Sequence, residues 1–562
     1  MYSRMEARLE EHLDRFGLAL VNDKHKYRKV VAKKVIKKGT TVITSRPLCN
    51  PIIFPTHRSK HCETCFRAQG STSHGGQAHD LERCSVCKKR YYCNRECFTI
   101  AWKGWHRWIC PDKDMENLDY EMLKMVVIAI ERLRNGSASP SGATSASGPS
   151  GTHTGDDPHQ EDEPLELTEY VFSTLMGHEA VSDHTQLSKY REIATIVRDQ
   201  LVKCKYPFKS LQSAGAPPSV QELVQYLCRF HCNNFSIHDT QLFTMAEGTF
   251  PIGALFNHSC RPNAIVMYEG QIQTVRALED IVPGQEVCTS YVDNGVQRKE
   301  RRALLAEKYY FHCMCPRCEQ EEESVDAVNQ GQSQEASSPP QESAKPKWTG
   351  FRILDDLIEG DQDGPKDGKI DGEWLTRQFE PIVLPNARSL QTAGPEIQPP
   401  GLITRASFTS YLIHSIVPLI QTGASEALYQ ERLFRIYREL QMTPHASPKP
   451  FTTTVMTNAT SFFNTCLEHG SWALASKIGM FVLAQYLMIY PRHHPLVGLH
   501  CFTLAKSLWN DVEGGLSSVR LSHEVLLLAK RILVVSHGTK GQNGGLVEEV
   551  VQFLKTVETE LG

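Results

Sequence analysis

Asn257-His258-Ser259-Cys260-Arg261-Pro262-Asn263 is the stretch of this chain that decides the fold, and two shorter strings follow it. The first is Ser290-Tyr291-Val292-Asp293, and the second is Cys313-Met314-Cys315-Pro316-Arg317-Cys318. The second string places three thiols within six residues. A tetrahedral zinc site needs a fourth ligand, so the spacing predicts a metal site that is completed by a ligand from elsewhere in the chain.

A second system of cysteines lies upstream. Its C-x2-C pairs let two thiolates of one tight turn reach one ion at ~2.3 Å, and its C-x3-C and H-x3-C pairs place their ligands one helical turn apart. Seven cysteines and one histidine are enough for two ions, and they are Cys62, Cys65, Cys84, Cys87, Cys93, Cys97, His106 and Cys110. The alternative interpretation is a chance clustering of free thiols.

Composition narrows the class of protein. The chain has 562 residues, a net charge of −3, and 40% apolar and 22% charged residues, which is ordinary for a soluble globular protein of several domains. Its near-neutral charge excludes bulk attraction to nucleic acid or to anionic membranes. The N-terminus is charged from Arg4 onward and lacks a signal-peptide core, and no apolar stretch predicts a membrane span. Most of the 18 cysteines lie in clusters, which favours metal over disulfides and predicts a reducing location, in the nucleus and cytoplasm.

Apolar periodicity predicts the main elements. Helical spacing covers Glu121–Leu133, Leu496–Leu508, Ser517–Val535 and Leu546–Leu561, whereas short β-rich runs and turns fill Phe243–Tyr291. The C-terminal helices resemble helix-turn-helix repeats of the tetratricopeptide type, and a plain helical bundle is the alternative.

These motifs together resemble a known family. An Asn-His pair before a lone cysteine, then a tyrosine and Cys-x-Cys-x-x-Cys, is similar to the core and post-SET region of SET-domain protein lysine methyltransferases. The upstream cysteine spacing resembles a MYND zinc finger, and a finger placed before the Asn-His pair is the arrangement of the SMYD family. The resemblance implies an α+β fold: a small-strand SET β fold split by a MYND zinc finger, with a helical (TPR-like) C-terminal lobe.

The resemblance and the composition divide the chain into segments. Two Ser/Gly/Pro- or Glu/Gln-rich linkers are predicted to be disordered, at about 135–164 and at 320–347. The predicted segments are the N-terminal part of SET at 1–56, the MYND finger at 57–113, a helical SET insert at 114–227, the SET core at 228–298, the post-SET zinc segment at 299–319 and the helical C-terminal domain at 348–562.

The resemblance also implies three zinc ions. In MYND fingers the two ions interleave, which assigns Cys62, Cys65, Cys93 and Cys97 to one ion and Cys84, Cys87, His106 and Cys110 to the other. In SET domains the cysteine after the Asn-His pair completes the post-SET site, which assigns Cys260 to a third ion with Cys313, Cys315 and Cys318.

Cofactor and catalytic residues follow from the same resemblance. It implies that Asn257 and His258 contact S-adenosylmethionine through an unusual crossing of the backbone, and that the Tyr291 hydroxyl orients the methyl group and the amine. Two further residues lie outside the Asn-His motif. Asn233 matches a family residue that bonds the methionine moiety, and Phe311 matches a family aromatic residue that packs on adenine. Tyr309 is predicted to line the lysine channel. Taken singly, these aromatics would be core residues and Asn233 a turn residue.

One segment departs from the family pattern. SET domains normally open with G-x-G-(L/V)-x-A, whereas here the corresponding stretch reads Tyr27-Arg28-Lys29-Val30-Val31-Ala32. Side chains would then occupy space that glycine leaves empty, and either the cofactor binds through backbone contacts or the site is weakened or closed.

The preferred function is S-adenosylmethionine-dependent methylation of lysine in histone or non-histone proteins by a monomer. The alternative is a catalytically silent scaffold or transcriptional regulator that binds proline-rich peptides through MYND. A contact with DNA through basic finger residues is a third interpretation, against the alternative that these charges only solvate the finger: Arg83, Lys88, Lys89, Arg90 and Arg107.

Overall fold

The computed structural model describes residues 2–24, 26–70, 80–112, 117–134, 165–208, 216–319, 493–539 and 541–562, with part of 460–491. Both predicted linkers and the segment 348–459 lie outside the described residues. The described chain forms two compact units: a first unit of Met1–Asn257, Ala264–Thr289 and Lys308–Tyr310, and a second unit of His258–Asn263, Ser290–Glu307 and Phe311–Gly562.

The first unit opens with a helix and a hairpin. Helix α1 (Tyr2–Arg15) buries Leu9 and Leu13, and strand β1 (Leu18–Asp23) pairs antiparallel with β2 (Tyr27–Ala32). Strands β3 (Thr41–Ser45) and β4 (Ile52–Ile53) follow.

The finger contains little regular structure. Strands β5 (Glu82–Arg83) and β6 (Tyr91–Tyr92) pair antiparallel, and helices α2 (Arg95–Ala101) and α3 (Arg107–Ile109) flank one wide helical turn. Because such a segment has few hydrogen-bonded elements, its fold depends on the metal that its ligands bind.

Four longer helices form the insert. They are α4 (Leu118–Arg134), α5 (Leu165–Thr174), α6 (His184–Lys203) and α7 (Val220–Asn233). Asp183 and Ser219 cap the N-termini of α6 and α7 by accepting bonds from backbone N–H groups. Buried apolar residues of these helices, such as Val126 and Leu223, join the main core of the unit.

Two small sheets complete the SET core. Strand β7 (Asn234–His238) pairs with β8 (Thr244–Thr249), which also pairs with β4. After the two-residue β9 (Asn257–His258), strand β10 (Ala264–Glu269) pairs with β11 (Ile272–Ala277), which pairs with β3. The short β12 (Cys288–Thr289) precedes Tyr291, and α8 (Arg298–Tyr309) follows it.

The second unit carries the C-terminal helices. They are α9 (Pro495–Asn510), α10 (Gly515–His537) and α11 (Gly541–Leu561), and each packs on the next. Pro495 occupies the first turn of α9, where its missing N–H costs nothing, and His494 caps that helix. The prediction of a helical C-terminal region is confirmed. Among the helices that the structure describes, none is both long and apolar enough to cross a bilayer.

Candidate active site and metal clusters

The eight finger ligands converge in two groups of four. Cys62, Cys65, Cys93 and Cys97 form the first finger cluster, and Cys84, Cys87, His106 and Cys110 form the second; within each, the ligand atoms lie within 4.8 Å of one another. Sulfur–sulfur distances are 3.6 Å for Cys65–Cys93 and 3.5 Å for Cys93–Cys97. Four thiolates at ~2.3 Å from a tetrahedral ion are about 3.8 Å apart, so this donor set fits zinc.

Local turns place these ligands. The side chain of Asn94 accepts a bond from the Cys97 backbone N–H at 2.8 Å and caps α2, so Cys93 and Cys97 lie on either side of the helix start. The Thr64 hydroxyl donates to the Cys97 carbonyl at 2.8 Å, which ties the first C-x2-C turn to this helix.

Buried charges attach the finger to helix α4. Arg90 donates to both oxygens of Glu63 at 3.1 and 3.0 Å and to Glu121 at 2.6 Å, and Arg58 donates to Glu121 at 2.9 Å. All four side chains are 7% exposed or less. Burial raises the pKa of the Glu63 carboxyl, and the two arginines oppose this rise. We call these residues the finger anchor, because Glu63 lies between two cluster ligands and Glu121 lies on α4.

A third cluster lies in the second unit. Cys260, Cys313, Cys315 and Cys318 bring their sulfurs within 4.8 Å of one another, with Cys260 at 3.9 Å from Cys313 and 3.6 Å from Cys318. These spacings also fit the edges of a tetrahedral zinc–thiolate site. Thus every metal ligand that the sequence predicted is found in its predicted group.

The imidazole of His258 joins the third cluster to Tyr291. Its Nδ1 accepts a bond from the Tyr291 backbone N–H at 3.0 Å, and its Nε2 lies 3.2 Å from the Cys260 sulfur. A backbone N–H only donates, so the proton of a neutral imidazole belongs on Nε2, where it points to sulfur. Both ring nitrogens are therefore engaged within the protein, and His258 has only its backbone and ring faces for a cofactor.

Three rings of the second unit form an aromatic cluster. The centroid of His258 lies 5.3 Å from that of Tyr291 and 6.1 Å from that of Phe311, and the rings of Tyr291 and Phe311 stand edge to face. Tyr291 and Phe311 are both partly exposed. Such open aromatic faces attract a flat base by stacking and a sulfonium or ammonium group by cation–π interaction.

The turn that follows Tyr291 is held by polar contacts. The Ser290 hydroxyl lies 2.9 Å from Asn294 Oδ1, and Asp293 Oδ1 accepts bonds at 2.8 Å from the Gly295 N–H and from the Tyr490 hydroxyl. A Cβ at Gly295 would approach the Tyr490 oxygen to 2.7 Å, so only glycine fits this close packing. Tyr490 lies just before α9, and the helical lobe thus contacts the turn after Tyr291.

In the first unit, Asn257 and Asn233 are fixed by their amide nitrogens. Asn257 Nδ2 donates to the Arg28 carbonyl at 2.6 Å and to Glu286 at 2.9 Å. Asn233 Nδ2 donates to the carbonyls of Met176 and Arg229 at 2.9 and 2.8 Å. Because these partners are all acceptors, the orientation of each amide is determined, and its oxygen is directed away from them as an acceptor.

The segment without glycine has a left-handed residue. Tyr27 has a φ of +69°, in the region that glycine normally supplies, and its side chain is 77% exposed. The predicted effect of these side chains on cofactor binding stays a prediction. The next residue, Arg28, offers its backbone carbonyl to Asn257.

The pKa of the Tyr309 phenol is raised. Burial, followed by the nearby charges of Cys232 and Glu247, raises the pKa of its phenol to about 12. A phenol with this pKa is neutral at ordinary pH and is able to donate a hydrogen bond.

Sequence reasoning missed several residues that hold the site. Glu286 binds both Asn257 and the Lys26 ammonium, and Arg301 donates to the Cys260 sulfur at 3.2 Å. Neither residue belongs to a motif. Arg301 lies one helical turn before Leu305, the other buried residue of α8, and this spacing is the signal that could have indicated a buried arginine.

Comparisons with known proteins agree with this geometry. A family model described as SET domain matches residues 28–292. The histone-lysine N-methyltransferase ASHR1 of Arabidopsis thaliana is 24% identical over 544 residues, which cover 95% of this chain and 94% of that protein. The N-lysine methyltransferase SMYD2-B of Danio rerio is 30% identical over 49% of this chain, and SMYD2 of Homo sapiens is 28% identical over 49%.

The match to each of those two SMYD2 proteins covers 54% of their length. The chain therefore matches the SET domain over residues 28–292, and it is similar to proteins named as histone-lysine and N-lysine methyltransferases, ASHR1 and SMYD2 among them.

Proposed function

We propose that this protein transfers a methyl group from S-adenosylmethionine to the ε-amine of a lysine in a histone or non-histone protein, with Tyr291 and Tyr309 as the catalytic residues. The observation that carries the proposal is the fixation of Tyr291. Its backbone N–H is bonded to His258, and its ring packs with His258 and Phe311 while remaining partly exposed.

The donor and acceptor groups of the site suit this cofactor. S-adenosylmethionine combines an ammonium group, a carboxylate, a sulfonium and an adenine, and when bound it supplies an electrophilic methyl group. The amide oxygens of Asn257 and Asn233 accept hydrogen bonds, as an ammonium or a hydroxyl group requires. Tyr291 and Phe311 are both partly exposed, and aromatic rings attract a sulfonium and stack on a flat base.

Lysine methylation needs a neutral, aligned amine. A free lysine with a pKa of ~10.4 is protonated near pH 7, so the site must favour the neutral amine by removing water from it. The Tyr309 phenol is neutral near pH 7, as tyrosine ordinarily is, and burial raises its pKa further, to about 12, so it places no negative charge beside the amine. The Tyr291 hydroxyl is the group that orients the amine for in-line attack, a task of alignment rather than of proton transfer.

Zinc in the three clusters is part of the proposal. Twelve ligands in three tetrahedral groups would hold three ions, and the third ion would fix Cys260, the neighbour of Asn257-His258-Ser259, to the post-SET segment. Each cluster holds its ligand atoms at distances that zinc requires.

A methyl-transfer assay tests the proposal. The zinc-loaded chain, its Tyr291→Phe variant and a Tyr226→Phe control would be incubated with methyl-labelled S-adenosylmethionine, core histones and a lysine peptide library. The Tyr226 hydroxyl donates to Glu222 within α7, so Tyr226→Phe is a control that also removes one tyrosine hydroxyl. We expect labelled lysine with the parent and the control, and a loss of about 10²-fold with Tyr291→Phe, the cost of removing one donor at a reacting centre.

The scaffold alternative gives the opposite result. If the parent protein labels no lysine under conditions in which its three clusters are filled, the SET fold is catalytically silent. The finger would then be tested as a module for proline-rich peptides. A nuclear and cytoplasmic location and a monomeric state belong to the same proposal and are checked by imaging the tagged chain and by sedimentation.

A further inference from the structure

The third cluster has a buried cation beside it. Arg301 is 1% exposed, and its guanidinium donates through Nε to the Cys260 sulfur at 3.2 Å and through Nη2 towards the Cys318 sulfur at 3.8 Å. A third donor, Nη1, bonds the Val296 carbonyl at 2.6 Å. The guanidinium of Arg301 therefore contacts two of the four sulfurs of the third cluster and one backbone carbonyl just before α8.

The contact of Arg301 reduces the negative charge that a filled third cluster would carry. Four thiolates around one divalent ion leave two net negative charges, and burial of uncompensated charge is costly. An arginine remains charged at every working pH and places several donors in a fixed plane, which suits two sulfur atoms at once. Arg301 thus removes one of the two charges at the point where the site is most buried.

The buried arginine of the finger has different hydrogen-bond partners. Arg90 is also buried, but its donors go to the carboxylates of Glu63 and Glu121. The direct N–H to sulfur contact of Arg301 is therefore a feature of the third cluster rather than a general consequence of packing arginine beside cysteines.

The same sulfur receives a second donor. Cys260 accepts from His258 Nε2 at 3.2 Å, and His258 Nδ1 holds the Tyr291 N–H at 3.0 Å. Two N–H groups on one thiolate reduce its charge without displacing it from a metal, and they orient both donors. Arg301, Cys260, His258 and Tyr291 consequently form a continuous series of contacts within the second unit.

We propose that Arg301 is the counter-cation of the third metal centre and that it acts, through Cys260 and His258, as a positioning residue for Tyr291. The inference rests on the proposed function, since it takes zinc to fill the third cluster. It adds a role for Arg301 that neither the cysteine spacing nor the resemblance assigns. In the absence of metal the guanidinium would face protonated thiols, which hold it less strongly than thiolates do. Filling of the cluster is therefore coupled to the order of the turn after Tyr291.

Zinc retention tests the inference without an activity assay. The full-length zinc-loaded protein, Arg301→Gln and Arg302→Gln would be exposed to a chelator, and released zinc would be followed with time. Alkylation of cysteines, read by peptide mass spectrometry, shows which cluster opens. Arg302 is the matched control, because it is the next residue on α8 and donates to the Cys313 carbonyl instead of to sulfur.

We expect Arg301→Gln to release the third zinc at least 10-fold faster than Arg302→Gln, the usual cost of losing a partner of a metal ligand. The finger clusters should remain protected in both variants. Amide hydrogen exchange of a peptide covering 290–294, which excludes Val296, the direct partner of Arg301, should rise with loss of the third zinc, which a purely local defect at Arg301 would not cause. Equal release from the two variants would overturn the inference.

A second pair covers a folding failure of Arg301→Gln. Arg301→Lys keeps the charge but loses the fork, and Arg302→Lys is its control; faster release from the first supports the inference and equal release refutes it. Failure of the inference is separable from failure of the proposed zinc. If the parent chain itself alkylates at once at Cys260, Cys313, Cys315 and Cys318, the cluster holds no metal and the proposed function loses its third ion.

Discussion

The two compact units fix their functional groups by different physical means. In the first unit, four buried charged side chains attach the finger to α4, and Asn257 is bonded to a backbone carbonyl and a carboxylate. In the second unit, donors point at the sulfurs of the third cluster, and one tyrosine hydroxyl meets one carboxylate. Losing one partner of a buried ion network is costly, whereas a single neutral hydrogen bond contributes about 1 kcal/mol. Substitutions in the finger anchor should therefore appear mainly in stability, and those around Tyr291 mainly in activity.

The strongest test of this contrast removes one member of the finger anchor. Arg90→Met leaves Glu63 buried without its close hydrogen-bonded partner and leaves Glu121 with Arg58 alone, so we expect the free energy of unfolding to fall by about 3–5 kcal/mol. Arg83→Met, at an exposed finger position, should change it by less than about 0.5 kcal/mol. Urea denaturation of the zinc-loaded variants measures both values. Similar losses in the two variants would mean that the anchor contributes nothing specific.

Acid should affect the helical lobe through His500. Burial lowers the pKa of His500 to about 4, and its Nε2 donates to the Gly479 carbonyl at 2.7 Å. Because the folded pKa lies below the unfolded value of ~6.5, the stabilisation is complete above about pH 6.5 and is lost as pH falls towards 4. The full loss is about 3 kcal/mol at ~1.4 kcal/mol per unit.

Unfolding curves at pH 7, 5 and 4 measure this effect. His500→Gln keeps a donor for Gly479 but does not titrate, so its stability should depend less on pH over this range. An unchanged slope in that variant would assign the acid sensitivity to other groups.

The bond between Tyr490 and Asp293 gives a smaller effect, and in activity rather than stability. Tyr490→Phe keeps the ring against Gly295 and removes only the hydroxyl, which loosens the turn after Tyr291. We expect kcat to fall several-fold, the equivalent of about 1 kcal/mol, with KM for the cofactor unchanged. Tyr486→Phe, one turn earlier, is the control. A fall in stability without a fall in kcat would contradict the contrast between the units.

The smallest expected effect concerns Tyr27. Its left-handed backbone costs roughly 1–2 kcal/mol, and glycine relieves that cost while losing roughly 0.5–1 kcal/mol in chain entropy. Tyr27→Gly should therefore stabilise the protein by up to about 1 kcal/mol. Arg28→Gly, within β2 and without a positive φ, should destabilise it by about 0.5–1 kcal/mol. Thermal denaturation distinguishes these opposite signs, and a destabilised Tyr27→Gly would refute the assignment of strain.

Local patterns in the sequence predicted a large part of this structure. Apolar periodicity located α4 and the C-terminal helices to within a few residues, since burial of one helix face is a property of neighbouring residues. The three ligand groups followed from cysteine spacing and family resemblance, since a tetrahedral ion restricts both the residue types and their separation.

The supporting contacts could not be predicted in the same way. Charged residues are normally exposed, so no local pattern marks Glu63, Arg90 or Arg301 as buried. The Tyr490–Asp293 bond joins residues 197 positions apart, and its formation depends on the folded lobe. The positive φ of Tyr27 is a property of the hairpin, where tertiary context prevails over the preference of tyrosine.

Calorimetric titration of S-adenosylmethionine into the zinc-loaded protein tests the central claim most directly. The account predicts micromolar binding to the parent chain and to Tyr291→Phe, and a loss of binding in Asn257→Ala, whose amide joins the Arg28 carbonyl to Glu286. No binding to the parent chain would contradict the account, and it would mean that the segment Tyr27-Arg28-Lys29 closes the cofactor site.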